Sequence, residues 1–243
     1  MSFQSSFELQ RSLHFCVPHQ QPLLVEELQQ RTELLVLLYQ ALPGLLALSL
    51  LLPTYVRWPR NGVDALLMAS LGVASSGIHS NGFSLVRRLI ADLDIDIDQP
   101  APFDASQTLR QALLAPTVLY GASVHRALQQ VPGAIKALCH VTGGGLPGNL
   151  NRVLREDLAA HVDPSRWQAA PIFGWLESLD RVEAMELYRT FNMGLGMVLA
   201  VDAEQAGSVM AQLAGDAPVF EIGTLTERAS AEAVPVHIAG VTA

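Results

Sequence analysis

The sequence predicts a mixed α/β domain, a mixed β-sheet flanked by helices, over residues 63–243. Three observations carry this. Short apolar runs stand between glycines, prolines and acidic residues, as strands do. Segments between them repeat apolar residues at helical spacing. Half of the residues are apolar and only 16% are charged, which supplies a core and excludes a disordered chain.

Taken in order, residues 84–93 place Leu85, Val86, Leu89, Ile90 and Leu93 on one helical face. The run from Asp92 to Asp98 alternates with period two, but Gln99-Pro100 ends it. It reads as a helix end entering an exposed loop, with solvated aspartates and no metal site. Residues 118–131 read as a helix with Leu119, Ala122, Leu128 and Val131 as its stripe. The run 137–141 stops at glycines like a buried strand, with Cys139 as a small buried hydrophobe. Residues 147–155 are helical through Leu150, Val153 and Leu154, and Pro171 opens another helix at a position that tolerates proline. Asp180 followed by Glu183 resembles a capping box for the helix holding Met185 and Tyr188. Residues 196–201 form a strand, Asp202 caps a helix reaching Leu213, and 219–222 and 234–238 are the last strand candidates.

Residues 1–62 differ in character. Residues 34–56 are 23 positions without a charge, eleven of them leucine, followed by Arg57 and Arg60. The length would span a bilayer. Pro43-Gly44 in the middle would break a soluble helix or kink a membrane one. A membrane anchor, a buried helix pair turning at Pro43-Gly44, and a segment foreign to the domain all fit. No basic stretch opens the chain, so a signal peptide fits poorly.

The charge balance, 15 basic against 23 acidic residues and −8 net, argues against nucleic acid as a partner. Lys136 is the sole lysine beside fourteen arginines, so a lysine clamp on a transferable phosphate is scarce. The two cysteines, Cys16 and Cys139, have no metal-like spacing and fit a reduced, cytoplasmic protein.

Three motifs carry chemistry. The first runs Ala74-Ser75-Ser76-Gly77-Ile78-His79-Ser80-Asn81-Gly82-Phe83-Ser84-Leu85-Val86-Arg87. A strand, a loop of small residues and a helix expose backbone N–H groups to a polar or anionic ligand. A glycine-rich turn whose Asn and Ser satisfy their own backbone is the alternative. The second, His140-Val141-Thr142-Gly143-Gly144-Gly145-Leu146-Pro147-Gly148-Asn149-Leu150-Asn151-Arg152, again leads from strand through glycines to helix. It suits a phosphate, with Arg152 one turn in for a charge-assisted contact, and it lacks the Gly-Lys-Ser/Thr ending of a Walker loop. A flexible strand-to-helix connection is the alternative. The third, from Met185 to Met197, offers Arg189 and Asn192 beside Gly194 and Gly196. Alone it reads as core packing, with the glycines admitting close approach.

Together these segments resemble the second half of the phosphoribosylformylglycinamidine cyclo-ligase (AIR synthetase) family. That family has a Ser-Ser-Gly-x-His-Ser-Asn-Gly-x-Ser-Leu-Val-Arg segment, a Thr-Gly-Gly-Gly segment followed by Asn and Arg, and an Arg-Thr-Phe-Asn-x-Gly-x-Gly segment. All three occur here in that order, as do Leu114-Ala115-Pro116-Thr117 and the 167–175 stretch with Pro171, Phe173 and Trp175. The resemblance covers about residues 71–240 and leaves residues 1–62 unmatched.

It implies an AIR-synthetase C-terminal-domain-like fold with both glycine loops at one end of the sheet. It also implies ATP-dependent closure of formylglycinamidine ribonucleotide to aminoimidazole ribonucleotide, and a homodimer. By the same resemblance His79 handles protons, while Ser80 and Asn81 contact substrate. Thr142, Gly143, Gly144 and Gly145 hold its phosphate with Arg152, and Arg189 and Asn192 line or brace the site. The family's Gly-Thr-Asp-Gly-Val-Gly-Thr-Lys-like and Gly-Gly-Glu-Thr-Ala-Glu-Met-like segments do not occur here. Ligands for ATP and magnesium are therefore expected from a separate ATP-binding half. A non-catalytic substrate-binding or regulatory domain, and a membrane-tethered protein reusing the fold, are the competing readings.

Overall fold

The computed structural model describes residues 68–241 except 216 and 231, together with the backbone of residues 55–56. The apolar run 34–56 lies outside the described residues but for its last two. Those two form β1 (Tyr55–Val56), an antiparallel edge strand on β5 (Ile135–His140). Among the described residues no helix is long and apolar enough to cross a membrane.

The centre of the fold is β2 (Met68–Ala74), seven residues buried without interruption. Such a strand has helices on both faces, and its sequence shows no polar alternation for that reason. β7 (Leu195–Asp202) lies antiparallel on one side of it and β8 (Val219–Glu227) antiparallel on the other. β5 extends the sheet beyond β7. Beyond β8 come β6 (Leu158–Val162), antiparallel to it, and β9 (Val236–Ile238), parallel to β6. The order is β1-β5-β7-β2-β8-β6-β9, so the sheet is mixed as expected. A separate hairpin pairs β3 (Pro100–Ala101) with β4 (Asp104–Thr108).

Period-two alternation divides the strand residues between two layers. Ala137, Cys139, Val198, Ala200 and Ile222 face the larger one. It is closed by α1 (Phe83–Asp92), α2 (Leu109–Leu113), α4 (Gly145–Val153), α5 (Pro171–Ser178) and α6 (Ala184–Thr190). Leu71, Val73, Leu138, Met197 and Leu199 face the smaller layer, covered by α3 (Gly121–Gln130) and α7 (Ala206–Leu213). Cys139 is fully buried, and burial pushes its thiol up to about 12.

Several local expectations change. The 118–131 helix starts only at Gly121; Leu128 and Val131 of the expected stripe pack against the smaller layer with buried Tyr120, Val124 and Ala127, whereas Leu119 is 52% exposed and Ala122 is exposed. Asp180 does not open a capping box. It adopts φ 51 in the preceding turn, Glu183 is the N-cap of α6, and no side chain caps that end. Asp202 caps nothing with its side chain; its carboxylate pairs with Lys136 Nζ at 2.8 Å. A true capping box is Thr108 with Gln111, at the start of α2. Neither α2, the polar hairpin before it nor β6 stood out in the sequence, because Asp-Ala-Ser-Gln-Thr has no apolar alternation.

The shifted face of α3 has a measurable consequence. Val124→Ala should cost about 2 kcal/mol in urea unfolding, the transfer and cavity terms of two lost methyl groups. Leu119→Ala should stay within about 0.5 kcal/mol. Equal costs would restore the stripe centred on Leu119.

Candidate functional site

Antiparallel pairing decides where the motifs meet. β2 and β5 are each antiparallel to β7, so the C-terminal ends of β2 and β5 lie at the end where β7 begins. The loop 75–82 leaves β2 there, the loop 142–144 leaves β5, and 191–194 enters β7. All three sequence motifs therefore converge at one end of the sheet.

Asn192 is the joint between the first and third loops, and it is 1% exposed. Its Oδ1 accepts from Ser75 Oγ at 2.8 Å and from Gly194 N at 2.9 Å. Its Nδ2 donates to Gly77 O at 2.9 Å. Ser75 N also donates to Gly194 O at 2.8 Å. Asn192 is thus a buried tie between the two loops.

The second loop is organised by Asn149, which the motif contained but the site assignment omitted. Fully buried on α4, it places Nδ2 2.7 Å from Gly145 O and 3.1 Å from Thr142 O. Its Oδ1 accepts from Thr142 Oγ1 at 3.4 Å and Arg152 Nη1 at 3.3 Å. An asparagine on the same helical side as Leu146, Leu150 and Val153 was the available signal. Gly144 and Gly145 have φ of 96 and 58, left-handed values that favour glycine. A Cβ on Gly145 would collide with the Tyr188 carbonyl at the end of α6. A Cβ on Gly144 would stand 3.6 Å from Arg152 Nη2, so the guanidinium lies over this loop. A Cβ on Gly143 would lie 3.9 Å from Asn81 Oδ1, which brings the first loop to the second.

Ser80 is exposed at the tip of its loop and Asn81 is half-buried beside Gly143. Arg189 is exposed in the last turn of α6, against whose backbone Gly145 packs. His79 is different: it is 4% exposed, adopts φ 54, and sits beneath the loop. Its Nε2 accepts from Ser76 N at 3.2 Å, which leaves the proton on Nδ1, buried without a hydrogen-bond partner among the described residues. Burial first, and His140 second, lower its pKa to about 4. The sequence led us to expect proton handling near neutral pH; at pH 7 this imidazole is neutral because its charged form would be desolvated.

Tyr120, also absent from the expected site, connects these roots. Its hydroxyl donates to Ala74 O at 2.8 Å, and a Cβ on Gly196 would overlap that hydroxyl. Its ring lies 6.3 Å from that of His79 and 5.9 Å from that of His140, centroid to centroid. Gly196 admits this tyrosine between the ends of β2 and β7. His140, whose Nε2 is likewise buried without a partner, has its pKa lowered by burial.

Among the described residues no three His, Cys, Asp or Glu side chains are grouped to hold a metal ion. Lys136 is engaged by Asp202 and by Gly133 O at 2.5 Å. The described residues thus provide neither the carboxylate cluster nor the available lysine that would fit a magnesium nucleotide.

Comparison with known proteins gives the family of this chain. Residues 66–234 match the family described as AIR synthase related protein, C-terminal domain. The chain is 43% identical over 159 residues to the phosphoribosylformylglycinamidine cyclo-ligase of Neisseria gonorrhoeae, covering 65% of this chain and 45% of that protein. It is 42% identical over 164 residues to the protein of the same name from Chromobacterium violaceum, covering 67% and 46%. The chain spans about half the length of the curated relatives it matches. Similar solved structures include the hydrogenase maturation protein HypE in complex with ATP, at 18% identity and a TM-score of 0.47 over 72% of this chain and 49% of that one. Thiamine-monophosphate kinase from Stenotrophomonas maltophilia has the same identity and TM-score over 74% and 52%.

Two outcomes follow from the buried groups. Asn192→Ala should cost roughly 3 kcal/mol in urea unfolding, since it strands Gly77 O and Gly194 N without water. It should also speed amide exchange at Gly194. His79 binds its proton more weakly folded than unfolded, so its stabilising contribution is full above about pH 6.5 and is lost as pH falls toward 4. That loss should be on the order of 3 kcal/mol. His79→Asn, tolerated at positive φ, should flatten this part of the stability profile. An unchanged slope between pH 4 and 6.5 would contradict the assignment.

Proposed function

Because the chain belongs to the AIR synthase related family through its C-terminal domain, we propose that it is the substrate-side portion of a phosphoribosylformylglycinamidine cyclo-ligase. The reaction is the ring closure of formylglycinamidine ribonucleotide to aminoimidazole ribonucleotide in purine biosynthesis. The observation that carries the reading is the meeting of the Asn81 loop with the Gly143–Gly144–Arg152 corner at one end of the sheet. An uncapped helix N-terminus with an arginine folded over it is a site for a ribonucleotide phosphate.

In this reading the N–H groups of Gly143 and Gly144 and the Arg152 guanidinium hold the phosphate, while the Gly145 N–H closes the loop onto Thr142 O at 2.9 Å. Thr142 and Asn149 keep that loop in shape through their hydrogen bonds. Ser80 and Asn81 bind the glycinamidine end, and Arg189 adds positive charge at the rim. His79 acts as a neutral imidazole that holds the first loop at Ser76. These groups position and orient, which is the larger share of what a ring closure needs from a protein. ATP and magnesium, used by the family, fit no group of the described residues, so the activating step belongs to a separate ATP-binding half. A cytoplasmic homodimer completes the proposal.

Calorimetric titration of the purified chain with aminoimidazole ribonucleotide tests this. Binding is expected, and Gly144→Asp should weaken it at least about tenfold, the loss of one charge-assisted hydrogen bond. The introduced carboxylate would sit beside Arg152 and take the phosphate's place. A flat titration with the wild-type chain, or equal affinity in the variant, would reject the assignment. Turnover that appears when an ATP-binding half is supplied separates a ligase from a domain that only binds.

A further inference from the structure

β6 and β9 run parallel in register, and the pairing sets His161 directly against His237. Their neighbours Ala160, Val162, Val236 and Ile238 point into the larger core layer, so both imidazoles stand on the other face of the sheet, exposed. The rings are stacked, with centroids 4.7 Å apart and planes 7° from parallel. Thr226, on the adjacent β8, places its Oγ1 3.0 Å from His161 Nε2. α3 and α7 pack on this face over β2 and β7, while His161 and His237 remain open to solvent.

We propose that His161 and His237 form a two-imidazole chelate for a borderline transition cation of the Zn²⁺, Ni²⁺ or Cu²⁺ type. Neutral imidazole is a preferred ligand for these ions. In-register side chains on neighbouring strands are spaced so that rotation about exposed χ angles can turn both rings onto one ion without moving the backbone. Thr226 supplies what a ligating histidine requires of its surroundings. In the tautomer that carries its proton on Nε2, His161 donates to the Thr226 hydroxyl and keeps a directed lone pair on Nδ1. Among the described residues no third His, Cys, Asp or Glu joins the pair, so water occupies the remaining positions. The site is independent of the three glycine-bearing loops and of the cyclo-ligase reading.

The test uses the full chain without a polyhistidine tag. Cu²⁺ titration followed by electron paramagnetic resonance should show coordination by two imidazole nitrogens, and Zn²⁺ should compete for the same site. His161→Ala and His237→Ala should each weaken binding about tenfold or more, and Thr226→Val should weaken it by a smaller factor. His125→Ala, altering a histidine on α3, should bind as the wild type does. All three exposed-face variants should retain the wild-type circular dichroism spectrum. Loss on substituting only one of the two histidines would reduce the site to a single imidazole and overturn the chelate. Equal affinity in the wild type and both alanine variants would overturn it as well.

Discussion

One buried amide organises this domain. Asn192 receives hydrogen bonds from Ser75 and Gly194 and gives one to Gly77, with 1% of its surface exposed. A side chain with this inventory can be buried only where each partner stands at the right place. It therefore fixes the exit of β2 relative to the entry of β7. The geometry of the first loop, the left-handed turn at His79 included, is built on that anchor. Tyr120 adds a second tie at the same place, through Ala74 and the space left by Gly196.

The second loop repeats the device with a different amide. Asn149 gathers the carbonyls of Thr142 and Gly145 and receives Arg152. Gly145 then lets the start of α4 pack on the end of α6 without a side chain between them. Both amides shape their loops by bonding backbone groups from inside, Asn149 the carbonyls of Thr142 and Gly145 and Asn192 the Gly77 carbonyl and the Gly194 N–H. The two histidines beneath the loops add no charge at neutral pH, because burial lowers the pKa of both.

The matched stretch of this chain spans about half the length of its curated relatives. Among the described residues Lys136 pairs with Asp202, and no three His, Cys, Asp or Glu side chains are grouped to hold a metal ion. The fold places its stable mass in the two layers around β2 and its chemistry at one end of the strands. The stacked histidines on β6 and β9 show that the sheet face left open by α3 and α7 also carries groups with ligating chemistry.

By itself the sequence determined the fold class, most strands and helices, and the three motifs, because apolar periodicity and glycine placement are local signals. Pro171 at the start of α5 and Leu150, Val153 and Leu154 in and just after α4 are cases where the local signal sufficed. It placed Leu128 and Val131 on the packed side of α3 but not Leu119, which lies before the helix begins and is therefore off its stripe. Nor did it distinguish Asn192 as a brace from Asn192 as a lining residue, or set apart Asn149 and Tyr120. Those roles depend on partners 115 and 46 residues away in the chain, for Asn192 with Gly77 and Tyr120 with Ala74. Only the sheet order brings such partners together. His79 shows the same limit: residue type promised a group titrating near neutrality, and the depth at which the fold buries it made the imidazole neutral.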